Sequence, residues 1–333
     1  MKQHAVWGVL ALLGALVFAG LGVMRAFEVP ANAGISEHVF TVQGQRLAGT
    51  LVLPPKVDAP PIVLIVHGDG PQDRWSDSTY LPLVNALVAG GVGVFSWDKP
   101  GTGQSDGDWL AQSMADRTKE AVTAFEYLRD QRGFTHNTLG FLGFSQAGWV
   151  VPKAAKDTGA GYAVLIGPAV NWRRQGAYYT SRRLEREGHT AGEIEQAVAD
   201  NLAENDRMFQ DGFTCAGRDD ISTSRCAFVR RNYGVDATED VLAMTTPTLV
   251  LMGADDLNVD PSETAELFAK NPQHDVRIVP QATHSLLRAQ HFNFQTPADW
   301  TVLAGLRFLL SGSHAYAPGV LDEISRWVVT CAQ

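Results

Sequence analysis

Short, uninterrupted apolar runs alternate along this chain with longer stretches in which apolar residues recur every three or four positions. Residues 61–66 read Pro-Ile-Val-Leu-Ile-Val, a pattern with no polar face, as expected of a strand covered on both sides in a parallel sheet. Residues 92–97, 138–142, 162–166, 247–252 and 276–279 also read as strands. Between them, residues 81–89, 114–128, 146–155, 261–270 and 300–310 carry helical spacing, with Ala121, Ala124, Phe125 and Leu128 on one face of the second. Residues 37–42 and 46–53 instead alternate with a period of two around Gly44 and predict a leading hairpin. Strands separated by helices imply an α/β fold: a mostly parallel sheet, helices on both faces, and a site at the carboxyl ends of the strands.

Two stretches fall outside that alternation. Residues 5–24 hold no charge and lie between Lys2 and Arg25, which predicts an export signal or a membrane span rather than part of a core. Ala31-Asn32-Ala33 would suit cleavage before Gly34, although it lies several residues past the apolar run. Residues 1–33 are therefore read as an uncleaved anchor or a cleaved signal. Residues 34–333 are read as a domain outside the cytoplasm, facing the periplasm from the inner membrane or released into it or beyond. The second stretch, 171–239, interrupts the strands with two charged helical segments, 175–188 and 191–209, and reads as a helical cap inserted in the domain.

Composition narrows the function. With 333 residues, 45% of them hydrophobic, the chain can bury one large core carrying an insertion. A net charge of -9 without a long basic run argues against a nucleic-acid partner. Three cysteines with no C-x-x-C pair exclude a disulfide scaffold and a cysteine zinc cluster. Cys215 and Cys226 bracket a polar loop; they would bridge in an oxidising compartment and stay thiols in cytosol, leaving Cys331 unpaired.

The candidate chemistry centres on Gly143-Phe144-Ser145-Gln146-Ala147-Gly148, where an apolar strand turns into a helix. Small residues at 143, 147 and 148 suit a strained turn that lifts the Ser145 hydroxyl above a sheet; the alternative is a serine that merely caps a helix. His67-Gly68-Asp69-Gly70-Pro71 follows another strand. Its turn would aim the backbone N–H of Asp69 at the same point as that of Gln146, making an oxyanion hole, or else is a plain connecting turn. The Asp69 carboxylate is awkward there and must turn away or pair, with Arg74 as the expected partner. Among nine histidines, His284 follows the last strand by a short loop and is the candidate base, with His291 as runner-up. Asp256, three residues past Gly253, is the candidate acid, and its neighbour Asp255 the alternative.

In these motifs, in this order, the chain from about Glu37 onward resembles the α/β-hydrolase superfamily. The elbow, the His67-Gly68 loop, the Asp98-to-Ser105 turn, the Gly253-to-Val259 acid loop and the Thr283-His284 loop all match. The segment from His67 to Arg74 is similar to bacterial esterases related to dienelactone hydrolases and to prolyl-oligopeptidase-type peptidases. The resemblance implies a serine hydrolase working through Ser145, Asp256 and His284 on a small ester or peptide-like substrate, with no metal or organic cofactor, and a cap that roofs the site. A peptidase, a thioesterase and a non-catalytic scaffold are the alternatives. Trp172, Tyr178, Tyr179 and Phe209 would line a pocket or dock the cap. The cap arginines at 173, 174, 182, 183 and 186 would receive an anion or, more simply, pair with local glutamates.

Overall fold

The computed structural model describes residues 25–217, 219 and 221–333, so segment 5–24 and its reading as a signal or anchor lie outside the described residues. Eight strands form one sheet: β1 (Gly34–Val42), β2 (Gln45–Leu53), β3 (Ile62–Val66), β4 (Gly93–Trp97), β5 (Leu139–Phe144), β6 (Tyr162–Ile166), β7 (Thr248–Gly253) and β8 (His274–Val279). Their order is β1-β2-β4-β3-β5-β6-β7-β8. The β1–β2 and β2–β4 pairings are antiparallel and the rest parallel. Gln43 and Gly44, both at positive φ, form the two-residue turn of the leading hairpin.

The runs of β3 to β7 are buried on both faces for a visible reason, whereas β8, at the sheet edge and carrying Arg277, is not. In β3, Ile62, Leu64 and Val66 enter one core cluster, while Val63 and Ile65 enter the other. The first cluster is covered by α2 (Met114–Arg132), which follows α1 (Leu81–Ala89), and by α3 (Val151–Thr158). The second is covered by α1 and by the last helix of the chain. Each fully enclosed aliphatic side chain in these layers contributes about 1.5–3 kcal/mol. Helix α2 starts at Ser113, whose hydroxyl accepts from the Asp116 N–H while the Asp116 carboxylate accepts from the Ser113 N–H, and it stops at Gly133 in the left-handed region.

The cap hangs between β6 and β7. It comprises α4 (Trp172–Arg186), α5 (Ala191–Arg207), α6 (Thr223–Asn232) and α7 (Thr238–Ala243). Its two ends meet at a neck, where the Trp172 N–H donates to Val235 O and the Ala237 N–H to Val170 O. Leu184 is the one buried residue of α4, and α5 has none. Ion pairs hold the outer surface: Arg173 with Asp206, Arg174 with Glu263, Arg182 with Glu185 and Arg183 with Glu187. Cys215 and Cys226 are disulfide-bonded with their Cα atoms 5.7 Å apart, and Cys331 is free. After β7 come α8 (Pro261–Phe268), α9 (Ala289–Phe292), α10 (Val302–Ser311) and α11 (Val320–Cys331).

Several elements differ from the sequence reading, and the cap has four helices where two are expected. Strand β5 runs on to Phe144, so Ser145 follows it directly. The expected helix from 146 is instead a tight 3-10 turn, Ser145–Trp149, followed by α3; Pro152, which lacks an N–H, sits in the first turn of that helix. Helix α11 had no counterpart in the reading, yet it buries Val320, Leu321, Ile324 and Val328.

Candidate active site

Ser145 occupies the first position after β5 with φ of 50°, a conformation costly for a residue with a side chain. The surroundings enforce it. A Cβ at Gly148 would lie 2.2 Å from Ala169 O, and one at Gly143 would lie 2.8 Å from the Ala147 Cβ, so the turn closes only around small residues. Ala147 itself is fully buried.

The ends of β7 and β8 bring the candidate acid and the candidate base together. His284 Nδ1 donates to Asp256 Oδ2 at 2.7 Å. The other oxygen, Oδ1, accepts from the N–H groups of Asn258 (2.7 Å) and Val259 (3.0 Å). Those bonds turn the carboxylate inward, and its side chain is wholly shielded while that of His284 is 15% exposed. Asp255, the alternative, is exposed and contributes its backbone N–H to Ala282 O. His291, the runner-up base, lies in α9 and receives a hydrogen bond from Arg307 Nη1 at 3.0 Å, away from Ser145's cleft.

The loop 67–70 is held from below by two buried cations. Lys99 Nζ donates to Gly68 O (3.0 Å) and Gly70 O (2.8 Å), with the Trp109 ring 4.9 Å away. Arg117 Nη2 donates to His67 O at 2.6 Å, and its Nη1 donates to Gln146 Oε1. Burial pushes the Lys99 ammonium well below its usual range, with the nearby Arg117 charge acting in the same direction. Because C=O and N–H of a trans peptide point opposite ways, holding Gly68 O turns the Asp69 N–H away from Lys99. Gly68 packs against the nucleophile turn, where an added Cβ would be 3.5 Å from the Ser145 Cβ. His67 is structural: burial lowers its pKa to about 3, and the neutral ring bonds Trp97 O through Nε2 at 2.6 Å.

The expected Asp69–Arg74 pair does not form. Arg74 is carried to the far side of its loop, where it clasps Asp98 with Nε and Nη2 at 2.9 and 2.7 Å and also reaches Glu37 and Thr50. Asp69 pairs instead with the cap: Arg225 donates to both carboxylate oxygens, at 3.0 and 2.7 Å, and Gln146 Nε2 to Oδ1 at 3.0 Å. The cleft walls oppose ionisation of Asp69, but Arg225 outweighs them and holds the carboxyl below its usual range. Arg225 precedes Cys226, so the disulfide sits at the helix turn that presents it.

Above Ser145 opens a cleft of about 730 Å³. Tyr80, Phe144, Trp149, Trp172, Tyr179 and Trp300 line much of it, and among its lining side chains Asp69, Arg225 and His284 carry the acid and base groups. Tyr178 points elsewhere, its hydroxyl donating to Asp256 O at 2.8 Å, while Phe209 stacks on Tyr233. The cap arginines named from the sequence do not line the cleft. Lys99, Arg117, Arg225 and Tyr178 acquire their places only through the fold, although Arg117 sits at helical spacing from Met114 and Ala121 on the buried face of α2.

The sequence profile of the family described as serine aminopeptidase, S33, matches residues 58–290, from the approach to β3 through α9. The chain belongs to that family. It is an α/β-hydrolase-fold serine hydrolase. No curated protein matches the sequence. Among solved structures, the hydrolase is similar to an esterase from Pyrococcus furiosus (13% identity, 90% of this chain and 92% of that one, TM-score 0.58). It is also similar to Est1E from Butyrivibrio proteoclasticus with ferulic acid bound (17% identity, 88% and 96%, TM-score 0.54). A third likeness is to the α/β hydrolase GrgF from a Penicillium species (15% identity, 85% and 100%, TM-score 0.54). At these identities the structural likeness speaks for the fold alone.

Proposed function

We propose that the protein is a carboxylic ester hydrolase that works by acyl transfer. Ser145 Oγ attacks the carbonyl carbon; His284 takes the hydroxyl proton and returns it to the departing alcohol. Asp256 keeps the imidazole in the tautomer with its proton on Nδ1. The N–H groups of Gln146 and Asp69 hold the tetrahedral oxyanion. A water activated by the same histidine then releases the acid. The observation that carries this reading is the His284–Asp256 hydrogen bond at the base of a cleft that also exposes Ser145 on a left-handed turn.

The cleft lining favours an ester over an aminopeptidase substrate. A peptidase that trims amino termini needs a free carboxylate for the substrate ammonium, and among the described residues the carboxylate lining this cleft, Asp69, is already bonded to Arg225 and Gln146. The aromatic walls suit an apolar or aromatic acyl or alcohol part. Segment 171–239 would act as the cap that selects it. We further propose that residues 5–24 direct the domain out of the cytoplasm, a reading supported by the uncharged apolar run and by the Cys215–Cys226 bond, which oxidising conditions favour.

Fluorophosphonate labelling and turnover of a panel of p-nitrophenyl esters and aminoacyl amides test the assignment. Ser145→Ala is expected to abolish labelling and lower ester turnover by roughly 10⁵–10⁶ without unfolding the protein. Labelling that persists in that variant, or amides cleaved faster than esters, would overturn it.

A further inference from the structure

Helix α10 leaves apolar surface uncovered. Val302, Leu303, Leu306, Leu309 and Leu310 are exposed by 83, 68, 51, 47 and 69%, while Ala304 and Phe308 on the other side are buried. At 100° per residue those five side chains fall within roughly one third of the helix circumference. Single exposed leucines are ordinary; a continuous stripe of five is a surface awaiting a partner.

The neighbours of α10 indicate the partner. Its inner residue Phe308 meets Phe27 edge-on at 5.4 Å, and a Cβ at Gly312 would lie 2.9 Å from the Ala26 Cβ. Asn85 Nδ2 fixes the same stretch by donating to the carbonyls of Ala26 (3.0 Å) and Glu28 (3.1 Å). The uncharged run 5–24 therefore joins the body directly beside this helix; at 1.5 Å per residue its twenty residues would span about 30 Å of hydrocarbon as a helix. Charge agrees: residues 300–316 contain Arg307 and His314 and no Asp or Glu, in a chain of net charge -9. Phe308 also packs against Trp300 (5.8 Å) and Phe292 (6.0 Å), two residues of the cleft wall.

We propose that the exposed face of α10 lies in the lipid interface of the bilayer entered by residues 5–24. This rests on the reading of that segment as an uncleaved anchor. The two contacts act together, the helix turning a tether into a fixed orientation. The cleft rim around Pro297 and Trp300 then sits at the lipid surface, and the substrates are esters carried by the membrane.

The test uses the full chain reconstituted in phosphatidylcholine vesicles. An environment-sensitive dye is attached without reductant to Leu306→Cys or, as control, to Val57→Cys in the loop after β2, each in a Cys331→Ser background. Flotation reports the anchor, and quenching by lipids brominated in their acyl chains reports α10. Expected are flotation, and quenching at 306 about threefold or more above that at 57. Flotation with equal quenching overturns the proposal and leaves the anchor reading standing. A blue-shifted but unquenched dye at 306 overturns it too, since protein would then cover the helix. Failure to float removes anchor and proposal together. Changing Leu303→Ser, Leu306→Gln and Leu310→Ser together is expected to slow turnover of a vesicle-borne long-chain ester about tenfold, while a soluble acetate ester is turned over as before. Equal loss on both esters counts against it.

Discussion

The two halves of the site are built differently. The acid–base half is local: Asp256 is oriented by the N–H groups of Asn258 and Val259, two and three residues on, and His284 follows the next strand. The proposed oxyanion half is assembled from a distance, by Lys99 and Arg117 from other elements below and by Arg225 from the cap above. The first half takes the orientation of its carboxylate from its own loop, which α4 and Gln295 hold in place. The second depends on three cations whose positions are products of the whole fold, and that is where substitutions far from Ser145 should reach the chemistry.

The largest effect expected of that contrast is in the local half. Asp256→Asn leaves the imidazole in place but favours the wrong tautomer, and kcat is expected to fall on the order of 10⁴-fold; Asp255→Asn should change it by less than about threefold. Steady-state kinetics on one soluble ester decides between the neighbours, and a reversed order would move the acid by one residue.

In the distant half, Lys99→Met removes a hydrogen-bond donor that touches no substrate. The carbonyls of Gly68 and Gly70 lose their donor, so the Asp69 N–H is less firmly aimed; kcat is expected to drop roughly 10- to 100-fold with KM little changed. A rise in KM alone would mean that Lys99 supports binding and not the oxyanion.

Arg225→Gln should cost less, about tenfold in kcat, because it leaves the Asp69 carboxylate unpaired beside developing negative charge. The decisive comparison is the double variant. Adding Asp69→Asn removes that charge and should restore most of the loss, whereas a purely mechanical tether between cap and body would show no recovery.

The smallest effect is that of reduction. Opening Cys215–Cys226 relaxes a loop closed over a sequence separation of 11, a constraint contributing roughly 2–3 kcal/mol to the order of the cap. Proteolysis between residues 214 and 230 should accelerate on reduction while the sheet stays folded, and activity should fall by no more than Arg225→Gln lowers it. Simultaneous loss of sheet and cap would show that the two regions are not separable.

The same division decides what could be read from the chain. Strands buried on both faces announce themselves as runs such as Ile62–Val66; Ser145 and Asp256 follow two such runs, and His284 follows the half-exposed edge strand β8, so order along the chain suffices to nominate them. Helix α11 has a legible pattern in Val320, Leu321, Ile324 and Val328, but it bears no motif that ties it to the site. The partner of Asp69 was out of reach for a different reason. Arg74 is five residues away and Arg225 is 156, and only the folding of α6 over the cleft decides between them. The break between the Ser145 turn and α3 was written in Pro152, but the apolar spacing of residues 146–155 hid it.

The hydrogen bond from Tyr178 to Asp256 O has a consequence for timing. With Gln175 Nε2 donating to Asn258 O and Gln295 Nε2 to both Leu257 O and Tyr179 O, helix α4 is fastened to the very loop that orients the base. Swinging α4 outward to admit a substrate would disturb the acid, so an enzyme open on that side would be momentarily disarmed. On the proposed mechanism α4 would then be the fixed jamb of the cap, keeping Asp256 in register with His284 through each cycle.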